Sequence, residues 1–178
     1  NNLIPTIQSR CQIITFYPVE SKKIENLLVS NYDKTKEEAK FIAHFTKGSV
    51  GRAIYISQSE DFFQKRDEIL NIIDSIINGD KLKIFNSIDF FIKNKDSYEE
   101  ILDIILYWFR DLIIYKEIGE SGLIINMDKV SLLSNQSFLN IDKINDIIEK
   151  IIETRESIER NVNYQLAIET MLLSMQEV

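Results

Sequence analysis

The sequence predicts an all-α protein, on three observations. Gly (5) and Pro (2) are scarce among its 178 residues, so it lacks the breakers that the many turns of a sandwich or barrel require. Apolar residues recur at three- and four-residue spacing along most of the chain. Capping residues followed by acidic ones stand where those periodic runs begin. With 44% hydrophobic and 28% charged residues, the balance is that of an ordinary globular chain of one or two domains. The abundance of Ile, Asn and Lys reads as base-composition bias in the genome.

Residues 1–18 depart from the helical pattern. Pro5 interrupts them, and residues 11–16 read as a short strand closed by Pro18. A lone strand leaves its backbone groups unpaired, so it is expected to belong to a sheet whose remainder lies outside this sequence. The opening Asn1-Asn2-Leu3-Ile4-Pro5 is neither a methionine start nor a signal peptide, and the expectation is a piece of a longer protein.

Three short helices are predicted next. The first covers about 21–30, with Ile24, Leu27 and Leu28 on one face. The second opens at Thr35-Lys36-Glu37-Glu38, a capping box, turns Ala39, Ile42, Ala43 and Phe45 inward, and stops at Gly48. The third starts near Gly51 and carries Ala53, Ile54 and Ile56. Three helices in about 40 residues make a bundle that is marginal alone.

Longer helices follow. Phe62, Phe63, Ile69, Leu70, Ile73 and Ile76 or Ile77 mark one. Asn78-Gly79-Asp80 then combines a Gly stop with an N-cap Asp for the next, which carries Leu82, Phe85, Ile88 and Phe91 or Ile92. Ser97-Tyr98-Glu99-Glu100 reads as a second capping box. It opens a helix to about residue 116 that is apolar almost all round, the pattern of a central, buried helix. Gly119 and Gly122 end it. A short helix over 129–134 is expected. Ile141, Ile144, Ile148, Ile151, Ile158 and Val162 mark a long amphipathic helix, with Ile147 and Ile152 widening its stripe. A closing helix runs from 164 to 176.

Composition excludes several functions. The net charge of -7 makes a poor stand-alone binder of phosphate backbones, which need Lys and Arg. One Cys and one His allow neither an intrachain disulfide nor a self-contained Cys/His zinc site, and no metal site is expected. No apolar run approaches the roughly 20 residues of a membrane span, and the expected location is cytoplasmic. His44 reads as a packing or surface residue. Glu37-Glu38 and Glu99-Glu100 sit at helix starts, where the macrodipole favours them. Cys11 reads as a small buried apolar residue.

Four stretches carry a family resemblance. Leu3-Ile4-Pro5-Thr6-Ile7-Gln8-Ser9-Arg10-Cys11-Gln12 resembles the Ser-Arg-Cys segment of bacterial clamp-loader subunits of the AAA+ superfamily. There the Arg reaches the ATP of the neighbouring subunit. A guanidinium offers a fixed fork of donors to charge developing on the γ-phosphate, worth about 10³–10⁵ in rate in other phosphoryl-transfer systems. The resemblance gives Arg10, between Ser9 and Cys11, that arginine-finger role; read without it, Arg10 is a surface residue paired with a carboxylate.

Thr46-Lys47-Gly48-Ser49-Val50-Gly51-Arg52-Ala53 resembles the loop that opens the last lid helix, where ATP-hydrolysing members place a sensor-two Arg. Gly51 occupies that position and Arg52 follows one place later, about 100° round a helix. This departure implies no nucleotide binding in this chain and points to the delta-prime branch of the family, which typically does not hydrolyse ATP. Trp108-Phe109-Arg110-Asp111-Leu112 and the segment Asn161-Val162-Asn163-Tyr164 through Leu173 resemble two collar helices of that branch. Read from the residues alone, these are core stripes with capping Asn residues.

The resemblance implies three parts: 1–18 as the end of the nucleotide-binding domain, 19–58 as a three-helix lid, and 59–178 as a five- or six-helix collar. It implies no cofactor in this chain, with ATP on neighbouring subunits. It implies partners of the gamma/tau and delta types in a hetero-pentameric ring, and through that ring the sliding clamp and primer-template DNA. Interface residues are expected on collar helices, including Trp108, Ile148, Ile151, Asn161 and Asn163. Two other readings stay open: part of an ATP-hydrolysing gamma/tau-type or other AAA+ subunit, and a helical interaction module with no role in replication.

Overall fold

The computed structural model describes residues 4, 7, 10–12, 14–79 and 81–176, without the side chains of residues 60, 81–83 and 85. The described chain is helical. Its elements are α1 (Ser21–Asn31), α2 (Lys36–Phe45), α3 (Val50–Gln58), α4 (Glu60–Ile77), α5 (Lys81–Lys93), α6 (Tyr98–Ile118), α7 (Val130–Gln136), α8 (Ile141–Glu159) and α9 (Tyr164–Ser174), with one-turn 3₁₀ segments at Lys95–Ser97 and Met127–Lys129. No described helix is long and apolar enough to cross a membrane.

Local chemistry sets most of the boundaries. The Thr35 hydroxyl accepts from the Glu38 amide at 3.2 Å while the Glu38 carboxylate accepts from the Thr35 amide at 3.0 Å, so the first capping box forms as expected. Asn140 caps α8 by accepting from the Lys143 amide at 2.6 Å. The long helix stops at Glu159, short of the expected Val162. Asn161 adopts φ 62° there, the Asn161 amide donates to the Ile158 carbonyl and the Val162 amide to that of Ser157. This is a Schellman stop with Asn as the left-handed residue. Two residues later Asn163 caps α9 by accepting from the Leu166 amide at 3.0 Å.

Two expectations are corrected, and the strand is not confirmed. No strand is found among the described residues: 11, 12 and 14–16 are irregular, and residue 13 lies outside them. A strand exists only as a pairing, and no described segment offers it an edge. Cys11 is accordingly exposed, because nothing described packs over it. The second capping box is absent. Ser97 ends a 3₁₀ turn and makes no cap bond; its hydroxyl donates to the Asn94 carbonyl and accepts from Lys65. The Asp80 cap lies outside the described residues.

Helices α1, α2 and α3 pack on one another around Ile24, Leu28, Ala39, Ile42, Ala53 and Ile56, all buried. The later helices close a circuit: α4 packs on α5, α5 on α9, α9 on α8, α8 on α6, and α6 back on α4. The inner residues of α6, among them Ile101, Ile105, Trp108, Phe109 and Leu112, are buried, as its near-uniform apolar sequence predicted. Each such side chain contributes about 1.5–3 kcal/mol by leaving water. Trp108 also donates its indole N–H to Gln136 at 2.8 Å, and Gln136 donates to Asp74 at 2.8 Å. That chain of bonds fixes α7 against α4 and α6.

The two groups of helices share one core. Ser59 ends α3 and starts α4. Phe41 and Phe45 of α2 stack at 5.4 Å; Phe45 meets Phe62 of α4 at 5.4 Å and Tyr107 of α6 at 5.8 Å. Beside this cluster Arg66, 1% exposed, donates to both oxygens of Asp128 and to Asn126, each at 2.8 Å. Its guanidinium lies 4.2 Å from the Phe41 ring centroid. A buried charge held this way is costly to strand. Arg66→Ala is expected to destabilise the fold by about 3–5 kcal/mol, read from the urea midpoint.

Burial alone would push the Asp128 carboxyl up, but the Arg66 hydrogen bonds and charge outweigh it and hold it below the ordinary 3.8. Its folded value lies below the unfolded one, so its stabilisation is complete above about pH 4 and is lost as pH falls through the folded value. The stability gap between wild type and Asp128→Asn is therefore expected to be constant from pH 5 to 7 and to shrink below pH 4.

Candidate functional site

The segment that resembles a sensor-two loop forms the turn between α2 and α3. Lys47 and Gly48 both have positive φ, 51° and 85°. A Cβ on Gly48 would lie 2.5 Å from the Pro18 Cβ and 2.9 Å from the Val19 amide nitrogen. Glycine is thus required twice, for the left-handed backbone and for the close approach of the entering chain. The Gly48 carbonyl accepts from the Val19 amide at 3.0 Å. Phe16, Tyr17, Pro18 and Val19 on one side and Lys47–Val50 on the other line an open cleft, with Phe16 90% and Tyr17 81% exposed.

The cleft's polar groups are turned to structural partners. The Lys47 ammonium lies 3.6 Å from an Asp103 oxygen and 5.7 Å from the Tyr107 ring centroid. The Ser49 hydroxyl caps α3 by accepting from the Arg52 amide. Arg52 places its guanidinium 5.1 Å from the Phe45 ring centroid. Gly51 sits in the first turn of α3, where a Cβ would meet nothing within 4 Å. Gly51 thus places no side chain at this position, and the neighbouring cations Lys47 and Arg52 stand against Tyr107 and Phe45.

Arg10 is exposed and forms no ion pair among the described residues; its amide donates to the Ile7 carbonyl at 3.1 Å. Ser9, its partner in the motif, lies outside the described residues. His44 is part-exposed and stands 3.9 Å from Glu25. Burial lowers its pKa, with the Glu25 charge opposing. Among the described residues no group of three or more His, Cys, Asp or Glu could hold a metal ion.

The expected interface residues divide. Trp108 and Ile151 are buried in the chain's own core and offer no surface. Ile148 is half-buried against that core. Asn161 and Asn163 are exposed, and their side chains and backbone build the α8–α9 turn. The apolar stripe of α8 is spent internally, with Ile144, Ile147 and Ile151 facing α6 and α9 and Ile152 left 46% exposed.

Sequence reasoning missed a buried polar network. Asp111 of α6 is fully buried. Its carboxylate accepts from the Ile125 and Asn126 amides at 3.0 and 2.8 Å, from the Asn126 side chain at 2.7 Å and from Arg110 at 2.8 Å. Burial raises its pKa against the pull of those donors. Asp103, also buried, accepts from Arg155 of α8 at 2.8 Å while Lys47 approaches from the α2–α3 turn. A signal was present: Phe62, Arg66, Ile69 and Ile73 are spaced four, three and four, so Arg66 interrupts an apolar stripe.

The helices close into a circuit whose buried charges Arg66, Asp103 and Asp111 are engaged within the chain. The family described as DNA polymerase III, delta subunit, C terminal, matches residues 60–177, opening at the first residue of α4, and the chain belongs to that family. It is also similar to DNA polymerase III subunit delta' of Bacillus subtilis (strain 168), 27% identical over 180 residues that cover 98% of this chain and 54% of the relative. The chain thus spans about half the length of that relative.

The glycines of the loop separate two roles. Gly48→Ala is expected to destabilise by about 1–3 kcal/mol through strain and clash, whereas Gly51→Ala is expected to stabilise by about 0.5–1 kcal/mol, both read from thermal or urea unfolding.

Proposed function

We propose that this chain is the carboxyl-terminal part of a delta-prime-type clamp-loader subunit, a non-catalytic member of a ring that loads the sliding clamp on primed DNA. The observation that carries this reading is the joint match: the delta-subunit family over 60–177 and the delta' relative over almost the whole chain. Gly51 at the sensor position, with Arg52 directed to Phe45, supports a subunit that does not bind nucleotide through this loop. In this reading 1–18 ends the nucleotide-binding domain, 19–58 is the lid and 59–178 is the collar. The ring partners are gamma/tau-type and delta-type subunits, and the setting is the cytoplasm.

Arg10 is the residue that reaches chemistry. Its exposure and its lack of an ion partner among the described residues leave the guanidinium available to a neighbour's ATP. There it stabilises charge developing on the γ-phosphate oxygens during hydrolysis. No proton or covalent step passes through this chain.

The test uses the full-length protein. Arg10→Ala is expected to assemble normally yet lower ATP hydrolysis by the reconstituted complex at least tenfold. Hydrolysis equal to wild type would remove the finger role while leaving the scaffold role intact. A phosphate-binding Lys motif in the upstream sequence, with ATP hydrolysis by the isolated subunit, would favour an ATP-hydrolysing gamma/tau-type subunit instead.

A further inference from the structure

Helix α9 is apolar nearly all round, with Glu169 its one charge, yet only one side of it is buried. Tyr164, Ile168, Met171 and Leu172 face the core, while Leu166 is 58% and Leu173 44% exposed, as is Val162 of the preceding turn at 46%. Leu166, Thr170 and Leu173 are spaced four and three residues along α9 and so form a stripe. A helix of this composition is ordinarily covered on all sides. Val162, Leu166 and Thr170, with Ala167, form one wall of a groove between α8 and α9, and Lys150, Thr154 and Ser157 form the opposite wall; Leu173 lies outside the groove.

The α8 wall continues outward into charge. Asp142, Asp146, Glu149, Glu153 and Glu156 are spaced four, three, four and three, so they share one face of α8, and all five are exposed; Glu153 pairs with Lys150 at 3.1 Å and Glu156 with Arg160 at 3.2 Å. Glu153 belongs to both the groove and this face. From Asp142 to Glu156 the helix rises 14 steps, a length of about 21 Å. The surrounding helices are acidic too: residues 59–178 hold 23 Asp and Glu against 13 Lys and Arg.

We propose that this groove is a docking site for an amphipathic helix of another protein, with apolar residues on one face and Lys or Arg along one edge. The apolar face covers Val162 and Leu166 in the groove and reaches Leu173 beyond it, and the basic edge lies along the Asp142–Glu156 stripe and fixes register and direction. The charge selects the occupant. A second copy packed face to face would set acidic stripe beside acidic stripe. Nucleic acid and anionic lipid carry the same sign as the stripe. A helix fits because the groove runs between two helices, the surface into which helical ridges pack. The inference rests on the ring-assembly reading for the source of the helix, which a neighbouring subunit supplies, but not for its chemistry.

Two measurements on the full-length protein test it. The first uses a synthetic 14-residue Leu/Lys amphipathic peptide, followed by fluorescence anisotropy at physiological salt. Saturable binding is expected, weakened at least tenfold by Glu149→Lys/Glu153→Lys and by Leu166→Gln. The same charge change on the outer face of α4, Asp61→Lys/Glu68→Lys, should leave it within twofold. No binding, or equal loss from the α4 variant, overturns the site, as does self-association of wild type that Glu149→Lys/Glu153→Lys abolishes. The second is co-assembly with purified partner loader subunits, with folding of each variant checked by circular dichroism. Assembly by wild type and its loss in the folded α8 variant supports the site. Assembly of both alike overturns the site and spares the ring reading. Failure of wild type to assemble overturns the ring reading, and the peptide result then decides the site alone.

Discussion

The Arg66 guanidinium is the constraint on which the arrangement of this chain depends. A cation with so little water around it must be satisfied by protein groups. It reaches them by drawing the segment around Asn126 and Asp128 onto α4. Asn126 is in turn held by Asp111 of α6. One chain of charge-assisted bonds thereby joins α4, α6 and the long connection that follows α6. Phe41 lies against the outer face of the same guanidinium, so α2 is seated on the unit that Arg66 organises. Its Nε finds no acceptor among the described residues.

A second anchor acts where the two helical groups meet. Asp103 of α6 is shared between Arg155 of α8 and Lys47 of the α2–α3 turn. The turn that resembles a nucleotide sensor is thus fixed from behind by a buried carboxylate. Its Arg is engaged with Phe45, and Gly48 is packed on Pro18.

Much of the fold was legible in the chain because its causes are local. The Thr35 capping box, the Gly48 stop and the Asn163 cap each need only three or four residues to act. The all-round apolar run from Ile101 to Leu112 announced a buried helix because no amphipathic solution was open to it. Where local signals competed, reading them singly failed. Ser97 could cap a helix, but the 3₁₀ turn after Asn94 and the bond from Lys65 took its hydroxyl. Val162 continued the apolar period of α8, but Asn161 in the left-handed region had already ended the helix.

Residue order alone settles the helical class and the position of most helices, and its motifs carry the family resemblance. Periodicity and caps are properties of short windows, and motifs are properties of residue order, so neither needs coordinates. Which apolar residues are core and which are surface is settled only when the helices pack. Ile144, Ile147 and Ile151 vanish inside while Leu166 and Leu173 stay in water, although all lie on helices with broad apolar stripes. Packing also selects the partners of Arg66, Asp103 and Asp111, which lie 62, 52 and 15 residues away. Those choices follow from how five helices close into a circuit, and a circuit is a relation among distant segments that no local pattern encodes.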